Sequence, residues 1–173
     1  GHHGTTQGCL RALDRLADGG FIGRSVADIG CGTAVLAMGA ARIWPGTMLA
    51  SDIDEVAVDV ARANVIANGL EGRVDCVEAA GFDHPALSAA APFDLIFANI
   101  LKAPLIMLAP AMTERLNQGG FVILSGILNE QADEVVDVYC ALGNSVMHRE
   151  EIGEWTTLTL QNIVEKPFKK QRN

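Results

Sequence analysis

The sequence has few aromatic residues, which make up 5% of its 173 residues, whereas apolar residues make up 49%. We therefore expect a core built mainly from alanine, valine, isoleucine and leucine. The sequence also lacks any C-x-x-C pair, and its four cysteines are scattered. This spacing argues against a zinc site or a disulfide framework, and predicts reduced thiols in a cytoplasmic protein. The four histidines show no metal-ligand spacing either, so we expect no metal site.

Positive charge is scarce as well, with 13 Lys and Arg against 21 Asp and Glu and a net charge of −8. Such a chain is a poor candidate for binding nucleic acid through its phosphates, and a better match for a basic partner or a small cationic ligand. The most apolar region, residues 93–112, is interrupted by Asp94, Asn99, Lys102 and two prolines. We therefore expect no membrane span, and no signal peptide is visible. The length suggests one domain, which we expect to be a monomer.

An acid and two glycines separate a strand-like run from a helix-forming run in the segment D-I-G-C-G-T, residues 28–33. Gly30 and Gly32 permit positive φ angles and a close approach of a ligand to the backbone. A dinucleotide-binding turn would have its third glycine where Val35 stands. Asp28 would repel a pyrophosphate and suits a ligand with a cationic end. The segment resembles motif I of the class I S-adenosylmethionine-dependent methyltransferases, although a glycine turn alone is weak evidence.

A second acid, Asp52, stands 20 residues after Gly32, at the end of the next predicted strand. A β-α-β unit of this length returns a carboxylate to the same edge of the sheet, where it can accept hydrogen bonds from ribose hydroxyls. Nicotinamide and methyl-donor cofactors both carry a ribose, so Asp52 does not separate them. Either Asp52 or Asp54 must cap the helix that follows. We assign the cap to Asp54 and the ribose to Asp52, and the converse stays open.

The remaining pattern alternates strands with helices, which predicts an α/β fold with a doubly wound, mainly parallel sheet and ligands at the carboxyl ends of its strands. Thr5 or Thr6 is expected to cap the first helix, and Asn129 the last. The predicted strands cover residues 25–29, 48–52, 73–77, 93–99, 121–125, 145–151 and 156–161. The predicted helices cover residues 7–17, 34–43, 55–68, 85–90, 103–116 and 129–142. A final pair of strands with no helix after it matches a seven-stranded methyltransferase sheet with an antiparallel last strand.

The fourth predicted strand leads into A-N-I-L-K-A-P-L, residues 98–105. This segment closely resembles motif IV of the bacterial ribosomal protein L11 methyltransferases. Four other segments resemble that family in the same order: G-H-H-G-T-T at residues 1–6, D-I-D at 52–54, L-S-G-I-L at 124–128 and E-W-T at 154–156. Ala34 is a mild departure, because family members often have glycine or another small residue there. Residues 78–83, where the adenine should lie, give no clear match.

The resemblance implies S-adenosylmethionine as cofactor and assigns roles to six residues. It implies that the cofactor is bound by Thr6, Asp28, Gly30, Gly32, Asp52 and Asn99. Asn99 would also be the catalytic residue, because its side chain can accept a hydrogen bond from an amine and orient its lone pair. Asp28 would hold the methionine end through water or the turn amides, or would only orient the loop. Trp155 is expected either in the core or in a lid over the substrate, and these alternatives stay open.

The resemblance also implies a substrate, a basic ribosomal protein of the large subunit methylated on lysine side-chain or N-terminal amines, with no direct nucleic-acid binding. Residues 1–163 would form the catalytic domain and residues 164–173 a basic, flexible tail. The family carries an N-terminal substrate-recognition domain, to which nothing in this chain corresponds. The rival functions are methylation of a small molecule or a nucleic acid, and a methyltransferase-like module without chemistry. Nucleobase methylation is less favoured, because Ile100 and Leu101 replace the prolines of an N-P-P-Y motif.

Overall fold

The computed structural model describes residues 3–164, which form a seven-stranded sheet with helices on both faces. The strands are β1 (Val26–Ile29), β2 (Met48–Asp52), β3 (Val74–Glu78), β4 (Phe93–Asn99), β5 (Leu116–Leu128), β6 (Asn144–Ile152) and β7 (Trp155–Asn162). The helices are α1 (His3–Asp18), α2 (Val35–Ile43), α3 (Glu55–Ala67), α4 (Pro85–Ala90), α5 (Lys102–Arg115) and α6 (Ala132–Ala141). The predicted order of elements is confirmed, and β2, β4 and α4 have the predicted bounds.

The strand order across the sheet is β3-β2-β1-β4-β5-β7-β6. The first five strands in this order are parallel, whereas β7 runs antiparallel to both β5 and β6. The chain reverses its direction of travel across the sheet between β1 and β4. Ligands of doubly wound sheets bind outside the carboxyl ends of the strands at such a point. The predicted fold class, including the antiparallel last strand, is therefore confirmed.

Two apolar layers fill the space between the sheet and its helices. One layer packs side chains of α1, α2 and α3 against the sheet, and the other packs those of α4, α5 and α6 against the opposite face. The central strands are buried on both faces, which explains why β4 reads as a nearly unbroken apolar run. The core is mostly aliphatic, as the composition indicates.

The predictions for the ends of two helices were wrong. Helix α1 already includes His3, so Thr5 and Thr6 lie in its first turns and neither is the N-cap. Asn129 does not cap α6, because a short 3₁₀ turn, Asn129–Gln131, comes before that helix. The Asn129 side chain instead donates to the Gly153 carbonyl at 3.0 Å and accepts from Thr156 Oγ1 at 2.8 Å. These bonds connect the residue after β5 to the turn between β6 and β7 and to the start of β7.

The assignment of the helix cap to Asp54 is confirmed. Its Oδ1 accepts a hydrogen bond from the Val56 N–H at 3.0 Å, which satisfies one of the free amides at the start of α3. Helix α3 begins three residues after the end of β2, so the cap also orders the short connection between them.

No helix among residues 3–164 is long and apolar enough to cross a membrane. Within the same residues, no three His, Cys, Asp or Glu side chains are grouped so that they could hold a metal ion. The proposed basic tail lies, apart from Val164, outside the described residues, as do Gly1 and His2 of the first motif.

Replacing the capping acid should weaken the fold measurably. We expect Asp54→Ala to lower the free energy of unfolding by about 1 kcal/mol, because the first turn of α3 loses its side-chain acceptor. Chemical denaturation followed by circular dichroism measures this change. Asp59→Ala, on the same helix but away from its cap, is the matched control. An equal loss in both variants would contradict the capping role.

Candidate active site

The turn between β1 and α2 has positive φ angles at three alternate positions, and two of these three residues are glycines. Gly30 and Gly32 have φ angles of 70° and 53°, and Ala34 has φ 64° although it carries a Cβ. At Gly30 an added Cβ would lie 2.5 Å from Cγ2 of Ile100, so a side chain would not fit. Glycine is therefore required at position 30 both for backbone conformation and for space.

Asp28 is buried beneath this turn, with only 1% of its surface exposed. Its Oδ2 accepts a hydrogen bond from the Ala37 N–H at 3.2 Å, in the first turn of α2. Burial raises the pKa of the carboxyl from 3.8 to about 7; the bond from Ala37 opposes this shift and the charge of Asp52 adds to it. A raised pKa in the folded state means that this group stabilises the fold at low pH, and that the contribution is lost as the pH rises towards 7.

Asp52 lies on the other side of the same turn. Its Oδ2 accepts from the Gly32 N–H at 3.1 Å, and its Oδ1 accepts from the Asp54 N–H at 3.0 Å. The carboxylate therefore orders the glycine turn as well as the start of α3. Because it stays at the edge of the groove, it has remaining lone pairs for a hydroxyl donor.

Asn99 ends β4, which neighbours β1 on the side away from β2. Its Nδ2 donates to Oγ1 of Thr5 at 3.2 Å, so a side chain from α1 reaches the carboxyl end of the sheet. Sequence reasoning predicted Thr6 as the threonine of the site and missed this contact of Thr5. The available signal was the adjacent pair of threonines in the first motif.

Two adjoining cavities open at this edge and share Gly30. The first has a volume of about 320 Å³, and the second, of about 430 Å³, is predominantly apolar. Thr6, Asp28, Gly30, Gly32 and Asn99 line the first, together with Asp54 at its rim and residues of the glycine turn, α2 and α3. Asp52 lines the second, together with Ile53, Ala79, Ala80, Gly81, Ile100, Pro104, Met107 and Leu108. The structure thus brings all six predicted site residues to one continuous groove.

The apolar cavity contains the residues that sequence reasoning did not identify. Residues 79–81, which had no clear motif match, line its wall beside Asp52. Gly81 has φ 58°, and an added Cβ there would lie 2.9 Å from Cδ2 of Leu108. The contributions of α5 had no signal in the sequence, because they depend on how that helix packs across the end of β4.

Trp155 begins β7 and is only partly buried. Its Cδ1 would lie 3.4 Å from a Cβ added at Gly4, so the indole stands beside the first turn of α1. This turn brings Thr6 to the groove and Thr5 to Asn99. Trp155 is therefore neither a fully buried core residue nor distant from the site.

The arrangement suits a small ligand with three different parts. A cationic group would be matched by the buried carboxyl of Asp28, and hydroxyl groups by Asp52 at the rim of the turn. A flat apolar group would be matched by the second cavity between Ile53 and Leu108.

Comparison with known proteins agrees with this description. Residues 1–163 match the family model "Ribosomal protein L11 methyltransferase (PrmA)". The chain is 47% identical over 164 residues to a ribosomal protein L11 methyltransferase of Chelativorans sp. (strain BNC1), covering 93% of this chain and 55% of that protein. It is 44% identical over 160 residues to the protein of that name from Rhodopseudomonas palustris (strain BisB5), covering 92% and 54%.

Among solved structures, the ribosomal protein L11 methylase of Lactobacillus delbrueckii subsp. bulgaricus superposes with a TM-score of 0.84 at 28% identity, covering 94% of this chain and 80% of that one. An RNA methyltransferase of Salinibacter ruber in complex with S-adenosyl-L-homocysteine shares the fold, with a TM-score of 0.67 at 17% identity, covering 94% and 97%. The chain spans about half the length of the curated relatives it matches. By these matches and by its motifs, the chain belongs to the ribosomal protein L11 methyltransferase family.

Proposed function

We propose that residues 1–163 form the catalytic domain of an S-adenosylmethionine-dependent methyltransferase that acts on amine nitrogens of ribosomal protein L11, in the cytoplasm. The observation that carries the proposal is the single groove into which β1, β2, β4 and α1 bring Asp28, Asp52, Asn99 and Thr6. Family membership supports the reaction class, and the printed names of the curated relatives support the substrate.

The groove fits this cofactor part by part. Asp28, Gly30 and Gly32 would hold the methionine end, whose ammonium group offsets the cost of an ionised, buried carboxylate. Asp52 would accept hydrogen bonds from the ribose hydroxyls. The adenine would lie in the apolar cavity, whose wall at residues 79–81 lies close to α5 because Gly81 has no Cβ. At Gly30 and Gly81 an added Cβ would crowd Ile100 and Leu108, so the glycines let these side chains approach the wall of the groove.

The chemistry asked of the chain's own residues is modest. When bound, S-adenosylmethionine supplies a methyl group already activated on a sulfonium. The protein must hold a neutral amine in line with that group, which removes the entropic cost of their encounter. A free lysine has a pKa of about 10.4, and transfer into the groove beside a positive charge lowers it. Asn99 accepts an N–H of the amine and directs its lone pair, so no dedicated base is required.

A nucleic-acid substrate is less well supported by the same groove. Neither cavity is lined by an aromatic side chain among residues 3–164, so the groove itself offers a flipped base no ring to stack on. The net charge of −8 also favours a basic protein over a polyanion.

The cofactor assignment is tested by calorimetry with S-adenosylhomocysteine and with NAD. We expect the chain to bind S-adenosylhomocysteine and not NAD. Asp52→Ala should weaken this binding by about 1–3 kcal/mol, because hydrogen bonds to a charged acceptor are lost. Asp54→Ala, the matched acid two residues later, should retain most of the affinity. A larger loss in Asp54→Ala than in Asp52→Ala would show that Asp54 binds the ribose and Asp52 caps the helix. Binding of NAD but not of S-adenosylhomocysteine would indicate a dehydrogenase.

The pH dependence of binding tests the role of Asp28. Its pKa of about 7 in the free protein means that it is largely protonated below that pH. Since the cationic end of the ligand binds best to the carboxylate, the affinity for S-adenosylhomocysteine should fall about tenfold from about pH 8 to about pH 6. Asp28→Asn should bind more weakly at pH 8 and show no such decrease. An equally steep decrease in Asp28→Asn would assign the titration to another group.

The substrate is tested by incubation with tritiated methyl donor and, in parallel, purified ribosomal protein L11, rRNA and tRNA. We expect label in the protein, released as methylated lysine or methylated N-terminal residue on hydrolysis. Asn99→Ala should retain cofactor binding in part and lose most of the transfer. Label in RNA and none in protein would contradict the substrate while leaving the cofactor assignment standing.

A further inference from the structure

The side-chain amide of Asn99 has two chemically different ends, and its orientation decides what the groove offers to an amine. Oδ1 accepts hydrogen bonds, whereas Nδ2 only donates them. An amine that attacks a methyl group needs its lone pair free and its N–H groups held. If Nδ2 faced the amine, its N–H would engage that lone pair. The reaction is therefore favoured when Oδ1 of Asn99, and not Nδ2, faces the amine.

The structure holds this orientation through α1. The Asn99 Nδ2 donates to Thr5 Oγ1 at 3.2 Å, and Thr5 is buried, with 2% of its surface exposed. The opposite end of the amide lies along Gly126, where an added Cβ would be 3.1 Å from Asn99 Oδ1. Gly126 has φ 87°, and a side chain at this position would crowd both Oδ1 and the Ile100 carbonyl oxygen.

Thr5 is itself held in place by contacts farther along α1. Gly8, one turn later, packs so closely on Thr157 of β7 that a Cβ would collide with its Oγ1. Arg11 and Arg15 pair with Glu150 of β6 at 2.9 Å and 3.3 Å. Helix α1 is therefore seated on the last two strands, and the Thr5 hydroxyl is presented to Asn99 from a fixed element.

We propose that Thr5 is a positioning residue, whose hydroxyl keeps Nδ2 of Asn99 turned towards α1 so that Oδ1 faces the groove and accepts an N–H of the methyl acceptor. The inference rests on the proposed function of the groove and adds a role that differs from that of Thr6, which lines the cavity itself. The group that this arrangement would engage directly is an amine that carries an N–H.

The test uses a pair of ligands that needs no methyl acceptor. Sinefungin carries a primary amine on carbon where S-adenosylmethionine has its sulfonium methyl, and S-adenosylhomocysteine has neither group. The ratio of their affinities, measured by calorimetry on the full chain, reports whether Oδ1 faces the groove. Thr5→Val, of equal size but without a hydroxyl, should reduce the preference for sinefungin about tenfold and leave S-adenosylhomocysteine binding unchanged.

Three variants control this experiment. Thr5→Ser keeps the hydroxyl and should keep the preference. Thr159→Val makes the same substitution at a buried threonine of β7 away from Asn99 and should also keep it. In Asn99→Ala the preference should already be lost, and adding Thr5→Val should reduce it no further. An unchanged preference in Thr5→Val, or a further loss in the double variant, would overturn the proposal.

A measurement on the unsubstituted chain covers the case in which Thr5→Val does not fold. The Asn99 amide protons, assigned by nitrogen-15 NMR from their absence in Asn99→Ala, should exchange with water more slowly than those of free asparagine. Exchange at the free rate would contradict the hydrogen bond to Thr5. This NMR measurement needs no ligand, so it tests the hydrogen bond alone. Failure of the wild-type chain to bind either ligand would instead contradict the proposed function.

Discussion

The structure of the site depends on one buried hydrogen bond, between the Asp28 carboxyl and the Ala37 amide. It joins β1 to the first turn of α2, so the glycine turn between them has both ends fixed. The change of pKa from 3.8 to about 7 corresponds to roughly 4 kcal/mol against the ionised form. A carboxyl in this state stabilises the unliganded fold poorly at neutral pH. A cationic ligand bound beside Asp28 would favour the ionised carboxylate and offset this cost.

The order of the strands then decides which other groups meet at this turn. Because β2 and β4 flank β1 in parallel, their carboxyl ends place Asp52 and Asn99 on either side of Gly30. Asp52 binds the amides of Gly32 and Asp54, so the acid that would hold a ribose also orders the turn and the start of α3. Removing it would disturb the cradle for the methionine end as well. The Asp52 side chain therefore contributes to both cavities of the groove: it lines one and orders the glycine turn of the other.

The sequence was sufficient for the parts of the site that are local to a strand end. Asp52 and Asn99 each end a predicted strand and the glycine turn follows one, and a parallel sheet brings such positions together at one edge. The apolar cavity could not be predicted in this way. Met107 and Leu108 reach it because α5 crosses the end of β4, and the position of that helix depends on packing over the whole face. The first turn of α1 was misjudged as well: Thr5 has the residue type of a helix cap, but the helix begins at His3 and the Thr5 side chain contacts Asn99 instead.

The last two strands, β6 and β7, affect the site through helix α1. Strands β6 and β7 extend the sheet beyond β5 and carry none of the six predicted site residues. They do provide the surface on which α1 sits, through Glu150 and Thr157. The arginines of the two ion pairs with Glu150 are exposed, so solvent limits each pair to about 1 kcal/mol. The missing Cβ of Gly8 is what lets α1 pack closely on Thr157. With α1 in this position, Thr5 contacts Asn99 and Thr6 lines the groove. The last two strands of the sequence therefore help to position the side chains that the first helix brings to the site.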